Sequence, residues 1–233
     1  MQIIENSIVG TRSAVLRVRR RGSGLEFVIF PMLHVAMPSF YAEVTRRLRE
    51  CDLIVVEGVD GESVAGSLLT MTYQVIPLDT DSGLVEDNIP YADLGIPLIT
   101  PDLTGEEFDQ GVQQLSLKTR VLMFGVAPIA AAAMNLFNAR ERLLLSRDIE
   151  VNDLPTAAEE LESDEMGSFR GLLLGRRDEL VVAALTDLVD ERSTEDLQVA
   201  VVYGAAHVPG ILTGLGKLDY RVVGADWITV VAA

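Results

Sequence analysis

The sequence predicts an α/β fold, in which a central mixed, largely parallel sheet is flanked by helices and carries a helical insertion. Continuous apolar runs at 27–33, 53–56 and 199–203 are typical of strands that are buried on both faces. A helical repeat separates the first two runs. The chain has 233 residues, of which 48% are hydrophobic, enough for one well-filled core. We therefore expect a single α/β domain over residues 1–233.

The chain is expected to begin with antiparallel strands at 2–9 and 13–18. Gly22, Ser23 and Gly24 then provide hairpin chemistry before the strand at 25–30. This region contains four arginines within five residues, which we interpret as a solvated hairpin tip: Arg17, Arg19, Arg20 and Arg21.

Residues 25–57 are predicted to form a β-α-β unit. Ser39 can cap a helix on which Phe40, Val44 and Leu48 recur every four residues and share one face. The strand that follows ends at Glu57. We expect the two strands of the unit to be parallel and joined by a right-handed crossover.

The second half of the chain is expected to be rich in helix. Thr104 and Glu107 form a capping box that starts a helix at Gly105. Helical pattern then continues, so that about 105–195 resembles an insertion between strands. Further expected elements are a possible helix at 67–73, a turn at 79–83, a short strand at 96–100, a long helix at 168–191, a strand at 198–203, a short helix at 209–215, and strands at 219–223 and 227–231.

The bulk composition limits the partners. The formal net charge is −16, which argues against nucleic acid because phosphate binding needs a basic surface. Cys51 is the single cysteine and is expected to be a buried structural thiol. The start of the chain lacks signal-peptide features, and the apolar stretch 121–137 is short for a membrane span. We expect a cytoplasmic location and no membrane span, with 121–137 as a core helix or a homodimer surface.

The two histidines of the chain both follow buried runs. His34 follows the strand at 25–30, His207 follows the strand at 198–203, and Glu57 ends the run between them. Functional groups gather beyond the carboxyl ends of parallel strands. Two imidazoles and one carboxylate suit a divalent transition metal with an open position for water. His34, Glu57 and His207 are therefore the candidate metal ligands and catalytic residues, with Glu57 either the third ligand or the base that activates the water. Each could instead be a packing or capping residue.

Four further residues are candidates with two interpretations each. Arg177 and Asp178 could form exposed helical salt bridges, or could face the site and bind substrate, with Arg177 as the fixed cation for a carboxylate or an oxyanion. Asp102 could be a further metal ligand, or could accept a hydrogen bond from one of the ligands, although a role in a turn or a helix cap is favoured. Gly204 could provide a positive φ or a close approach to a ligand.

Five segments together resemble the TraB/PrgY/GumN family, which includes the Tiki proteases, and the resemblance covers nearly the whole chain. The most specific piece is Gly204 to Gly210, followed by Leu215 to Tyr220. The other segments are Pro31 to His34, Asp52 to Glu57, Pro101 to Phe108, and the helix with Arg177 and Asp178. The resemblance implies an erythromycin-esterase-like or ChaN-like fold, metal-dependent peptidase chemistry, and a site of His34, Glu57 and His207.

One position departs from the family pattern. Pro31 stands where the family's first Gly-x-x-His motif has glycine, and proline fixes φ and lacks an N–H donor.

The leading functional prediction is a metal-dependent hydrolase, a peptidase that uses manganese, cobalt, zinc or iron on a peptide or small-molecule substrate. Two alternatives remain open. One is a metal-independent esterase-like hydrolase, in which a histidine is the general base. The other is a non-catalytic regulator that binds a peptide or signal molecule in the same cleft.

Overall fold

The computed structural model describes residues 2–58, 83–121 and 174–232. The expected helix at 67–73, most of the turn at 79–83, the apolar stretch 121–137 beyond its first residue and the start of the helix at 168–191 lie outside these residues. The described strands and helices, numbered in chain order, are β1 Ile4–Ser7, β2 Gly10–Arg19, β3 Leu25–Met32, β4 Val35–Ala36, α1 Pro38–Leu48, β5 Leu53–Val56, β6 Val85–Glu86, β7 Leu98–Ile99, α2 Gly105–Gln114, α3 Leu117–Val121, α4 Arg176–Arg192, β8 Leu197–Gly204, α5 Val208–Lys217 and β9 Arg221–Ala232.

One mixed sheet organises the described residues, as the sequence predicted. Its strand order is β1-β2-β3-β8-β5-β7, and β9 pairs with β2 as well. The β3, β8, β5 and β7 strands run parallel, whereas β1, β2, β3 and β9 are joined by antiparallel pairs. Every residue of β3 and β5 is buried, as is typical of parallel strands that are covered on both faces.

The strand β8 lies between β3 and β5, although it comes from the far end of the chain. Val28 and Leu53 are partnered with Ala200 and Val199 respectively, so the three strands run in parallel register. All eight residues of β3 and all four of β5 are buried. The carboxyl ends of the three strands therefore meet at one edge of the sheet, which is where the candidate residues were expected.

Pro31 occupies a position in β3 where its missing N–H is tolerated. The ladder between β3 and β2 ends at Ile29, so Pro31 lies two residues beyond it. The Pro31 carbonyl accepts a hydrogen bond of 2.7 Å from the buried Ser13 hydroxyl. The proline is thus built into the strand that leads to His34 instead of interrupting it.

The end of the chain forms one strand, and the prediction of two strands there is wrong. The strand β9 runs unbroken through Gly224 and pairs with the whole of β2. The pairing of β9 with β2 shifts register twice, between Thr11 and Arg12 and between Arg17 and Val18. Gly224 lies beside the second of these shifts, and a bulged antiparallel ladder accommodates glycine.

A small ribbon of two strands lies apart from the main sheet and was not predicted. β4 and β6 pair antiparallel, with Val35 opposite Glu86 and Ala36 opposite Val85. Two-residue strands carry too little periodicity to be detected in a sequence. The ribbon immediately follows His34, and it joins the carboxyl edge of β3 to residues 85–86.

The helices α4 and α5 pack closely, and this packing depends on glycine. A Cβ atom on Gly214 would lie 2.5 Å from both methyl carbons of Val182. Val181 and Leu185, on the same helix as Val182, are buried in the core. The close approach brings the first turn of α4 next to the start of α5, and with it Asp178 next to His207.

Cys51 is buried, as predicted, and burial raises the pKa of its thiol to about 12. Among the described helices, none combines the length and the apolar character that crossing a bilayer requires.

Candidate active site

His207 is held at the junction between β8 and α5. It ends a short 3-10 turn, Ala205–His207, and its side chain is only 4% exposed. The Tyr203 ring packs edge-on against the imidazole, with the ring centres 5.7 Å apart. The imidazole Nδ1 lies 2.6 Å from Asp178 Oδ1. The ring is therefore fixed on two sides, and Nε2 is left facing Glu57.

Asp178 reaches His207 from the first turn of α4, so this residue faces the site instead of pairing along its own helix. Gly210 on α5 makes room for it, because a Cβ atom there would lie 2.7 Å from Asp178 Cγ and closer still to Oδ2. The interpretation of Arg177 and Asp178 as exposed salt bridges is wrong for both residues.

Glu57 follows β5 and spans the gap to β8. Its backbone N–H continues the parallel ladder by donating to the Val202 carbonyl at 3.0 Å. Its Oε2 accepts the Gly204 N–H at 2.7 Å, and its Oε1 accepts an N–H from Arg177 at 2.8 Å. Oε1 also lies 3.5 Å from His207 Nε2, which is longer than a hydrogen bond.

Gly204 meets Glu57 through a close approach, with no positive φ. Its φ is −49°, and a Cβ atom there would lie 3.2 Å from Glu57 Oε2. Of the two interpretations of this glycine, the close approach holds, but the group that approaches is a side chain of the protein.

Arg177 is clamped by two carboxylates. Its Nε and NH2 donate to the two oxygens of Asp102 at 2.8 and 2.6 Å, and NH2 donates to Glu57 as well. The Asp102 side chain is fully buried and also accepts N–H groups from Gly58 and Leu103. Asp102 therefore does more than the turn or cap duty that the sequence favoured: it fixes the guanidinium that faces Glu57.

The pKa values of Glu57 and His207 are set by the opposite charges that lie close to each of them. Burial raises the pKa of Glu57, but contacts with His207, Arg177 and the Gly204 amide outweigh burial and bring that pKa down to about 2. Burial lowers the pKa of His207, but the Asp178 hydrogen bond and the Glu57 carboxylate outweigh it and raise that pKa to about 9. Without a bound ion, Glu57 is ionised and His207 is protonated at neutral pH.

His34 lies at the same edge of the sheet. It follows β3 two residues beyond the pairing of Met32 with Gly204, and it is exposed. The buried Tyr41 hydroxyl donates to the Leu33 carbonyl at 2.8 Å and fixes the backbone just before it.

The donor set fits a divalent ion through two ligands. Two ligand atoms about 2.1 Å from a tetrahedral ion are about 3.4 Å apart, close to the 3.5 Å between His207 Nε2 and Glu57 Oε1. A carboxylate on the other ring nitrogen, here Asp178, is the usual partner of a metal-binding histidine. Within 2–58, 83–121 and 174–232, no three His, Cys, Asp or Glu side chains are grouped to hold a metal. His34 as the third ligand stays a prediction.

Two contributors to the site were underestimated or missed in the sequence. Asp102 follows β7, which is parallel to β5. Glu57 was selected because functional groups gather beyond the carboxyl ends of parallel strands, and the same strand-end rule applied to Asp102. Gly210 carried no such signal, because its role depends on a side chain from another helix.

Comparison of the chain with protein-family models, with curated proteins and with solved structures returns no match. The family resemblance and the erythromycin-esterase-like or ChaN-like fold stay predictions.

Proposed function

We propose that the protein is a metal-dependent hydrolase that acts on peptides, with its centre at Glu57 and His207. The observation that carries the proposal is the 3.5 Å separation of His207 Nε2 from Glu57 Oε1, with Nδ1 held by Asp178 at 2.6 Å. An imidazole and a carboxylate at this spacing, with the imidazole oriented by a second carboxylate, form a suitable pair of metal ligands.

The charge state of His207 supports this choice. A histidine with a pKa of about 9 holds a proton between two carboxylates at neutral pH, and so is a poor general base there. Binding of a metal requires a neutral imidazole and releases that proton. The two carboxylates that stabilise the imidazolium would stabilise a bound cation in its place. Because the cation must displace the proton, metal binding should strengthen as pH rises toward 9.

Each residue of the centre has a distinct role in the proposal. Glu57 and His207 hold the ion, and His34 is the third ligand. A bound divalent ion lowers the pKa of its water and polarises a carbonyl. Asp178 keeps Nε2 directed at Glu57. Arg177, whose described contacts use Nε and NH2, offers NH1 to a substrate carboxylate or to the oxyanion. The peptide substrate class rests on the resemblance to the Tiki proteases.

The test is elemental analysis of the untagged protein beside the His34→Ala/His207→Ala double variant. About one manganese, cobalt, zinc or iron per chain in the parent protein, lost in the variant, is the expected result. A peptide-hydrolysis screen with and without a chelator then reports the activity. Absence of metal in the parent after incubation with divalent ions, or full activity in His207→Ala, contradicts the proposal.

A second candidate is a hydrolase that needs no metal, and one contact favours it. The Arg177 guanidinium already neutralises Glu57 through Oε1, the same oxygen that faces His207. In that case His34 is the general base, because His207 is protonated at neutral pH. Activity that persists in chelator but is lost in His34→Ala identifies this alternative. Tight peptide binding with no turnover under any condition identifies instead the non-catalytic regulator.

A further inference from the structure

The ribbon of β4 and β6 places an aspartate directly across from His34. The register pairs Val35 with Glu86, so one step further along the ribbon His34 faces Asp87. The Asp87 N–H donates to the His34 carbonyl at 3.2 Å, which extends the antiparallel pairing by that step. Residues directly opposite in an antiparallel pair project to the same face, with Cβ atoms about 5 Å apart.

The Asp87 carboxylate is held in place by its own turn. Its Oδ1 accepts the Ile89 N–H at 3.1 Å, and the Tyr91 hydroxyl lies 3.5 Å from its Oδ2. Asp87 and His34 are both exposed. The carboxylate is therefore a fixed acceptor on the face of the ribbon that carries His34.

The Asp87 carboxylate also interacts electrostatically with Glu57. The charges of both His34 and Glu57 act on Asp87, in opposite directions, so its carboxylate lies within electrostatic range of both side chains. Asp87 thus belongs to the surroundings of the centre, although it lies on a segment that the sequence left without a role.

We propose that Asp87 is the positioning residue of His34, as Asp178 is of His207. In each case a carboxylate from a different segment meets a histidine at the carboxyl edge of the sheet and orients its ring. Metal-binding histidines commonly have such a partner, which fixes the tautomer and the ring orientation. The inference rests on the proposed function, since it assigns His34 an orientation that serves the ion at Glu57 and His207.

The first arm of the test does not depend on metal. Because the chain has only two histidines, the imidazole nitrogen and carbon signals of each can be followed separately by NMR at one fixed pH. Asp87→Asn is expected to change the tautomer populations and nitrogen shifts of His34 and to leave those of His207 unchanged. Asp178→Asn is expected to do the reverse. Glu86→Gln, the neighbouring exposed carboxylate opposite Val35, is the matched control and leaves both histidines unchanged.

The second arm measures Co²⁺ and Mn²⁺ binding by titration calorimetry of the same variants. Loss of an orienting carboxylate typically weakens metal binding 10- to 100-fold, and we expect about that loss in Asp87→Asn, with none in Glu86→Gln. Unchanged His34 signals in Asp87→Asn overturn the assignment of Asp87, whatever the metal result. If the parent protein binds no ion, the proposed function fails, and the NMR arm still decides whether Asp87 positions His34.

Discussion

Asp178 decides which nitrogen of His207 faces Glu57. At 2.6 Å from Nδ1, its carboxylate accepts a hydrogen bond from that nitrogen and directs Nε2 toward the centre. The arrangement resembles the carboxylate–histidine pairs of metal and hydrolytic sites, in which the carboxylate orients the ring without reacting itself. An aspartate three residues into a helix therefore controls a histidine that comes from a strand end.

The Asp178→Asn variant tests this control. A neutral amide orients the ring less strongly, so we expect a 10- to 100-fold loss in metal affinity and in hydrolysis. Because the Asp178 hydrogen bond also raises the pKa of His207, the metal-free variant should have a lower melting temperature at neutral pH. Glu179→Gln is the matched control, because Glu179 is the adjacent residue and forms an exposed pair with Arg176. An Asp178→Asn protein with full metal affinity contradicts the orienting role.

Asp102 has a different effect, on stability. Its carboxylate is fully buried against Arg177, and removal of its charge leaves the buried guanidinium with Glu57 as its remaining described counter-charge. We expect Asp102→Asn to lower the free energy of unfolding by about 3–5 kcal/mol, measured by urea denaturation. The control is Arg176→Gln, which removes the exposed partner of Glu179 and should change the free energy of unfolding by less than about 1 kcal/mol. Equal losses in the two variants argue against a buried clamp.

At the scale of elements, the junction of α4 and α5 assembles the site. Helix α4 carries Arg177 and Asp178, while α5 begins directly after His207 and contributes Gly210. The two helices approach closely because Gly214 faces Val182. Their packing thus sets the distance between Asp178 and the imidazole, so a change in α5 that touches no ligand can still disturb the centre.

Gly210→Ala tests the junction. The added methyl group meets the Asp178 carboxylate, so we expect loss of the Asp178–His207 hydrogen bond and a fall in metal affinity similar to that of Asp178→Asn. Gly216→Ala in the same helix is the control, since its nearest neighbour, Arg221 NH1, lies 3.8 Å from the added carbon. That variant should keep full affinity and gain about 0.5–1 kcal/mol in stability. Equal affinity in both variants contradicts the packing argument.

At the scale of the whole molecule, buried charges give stability a defined pH window. Glu26 is 3% exposed; burial raises its pKa, but hydrogen bonds from Arg17 and Arg19 outweigh burial and lower it. Arg17 and Arg19, two of the four arginines that were predicted to form a solvated hairpin tip, therefore bind Glu26. Because the folded pKa values of Glu26 and Glu57 are lowered, their contribution is present above about pH 4.5 and is lost as pH falls.

His207 sets the alkaline side of the window in the metal-free protein. Its pKa is raised to about 9, so its contribution is complete below the unfolded value of about 6.5 and is lost as pH rises through 9. We expect urea unfolding in chelator to give maximal stability between about pH 4.5 and 6.5. His207→Asn should remove the alkaline decline, and Glu26→Gln should weaken the acidic one. An unchanged alkaline slope in His207→Asn contradicts the assignment.

The strand-end rule predicted much of the candidate site. Glu57 and His207 were selected because each follows an apolar run, and the parallel register of β5 and β8 brings them to 3.5 Å. The same reasoning applied to Asp102 but was set aside for a capping role. Asp87 was not predicted, because the ribbon that places it opposite His34 is only two residues long in each strand.

The sequence by itself determined the α/β class, the capping box at Thr104 and the segments that end at His34, Glu57 and His207, because apolar runs and caps are local patterns. Only the tertiary structure decided that β8 inserts between β3 and β5, that Arg177 joins Asp102 to Glu57, and that Asp178 reaches His207. The side-chain contacts among these join residues 29 to 120 positions apart in the chain. Their geometry depends on how closely α4 and α5 pack, which no local pattern encodes.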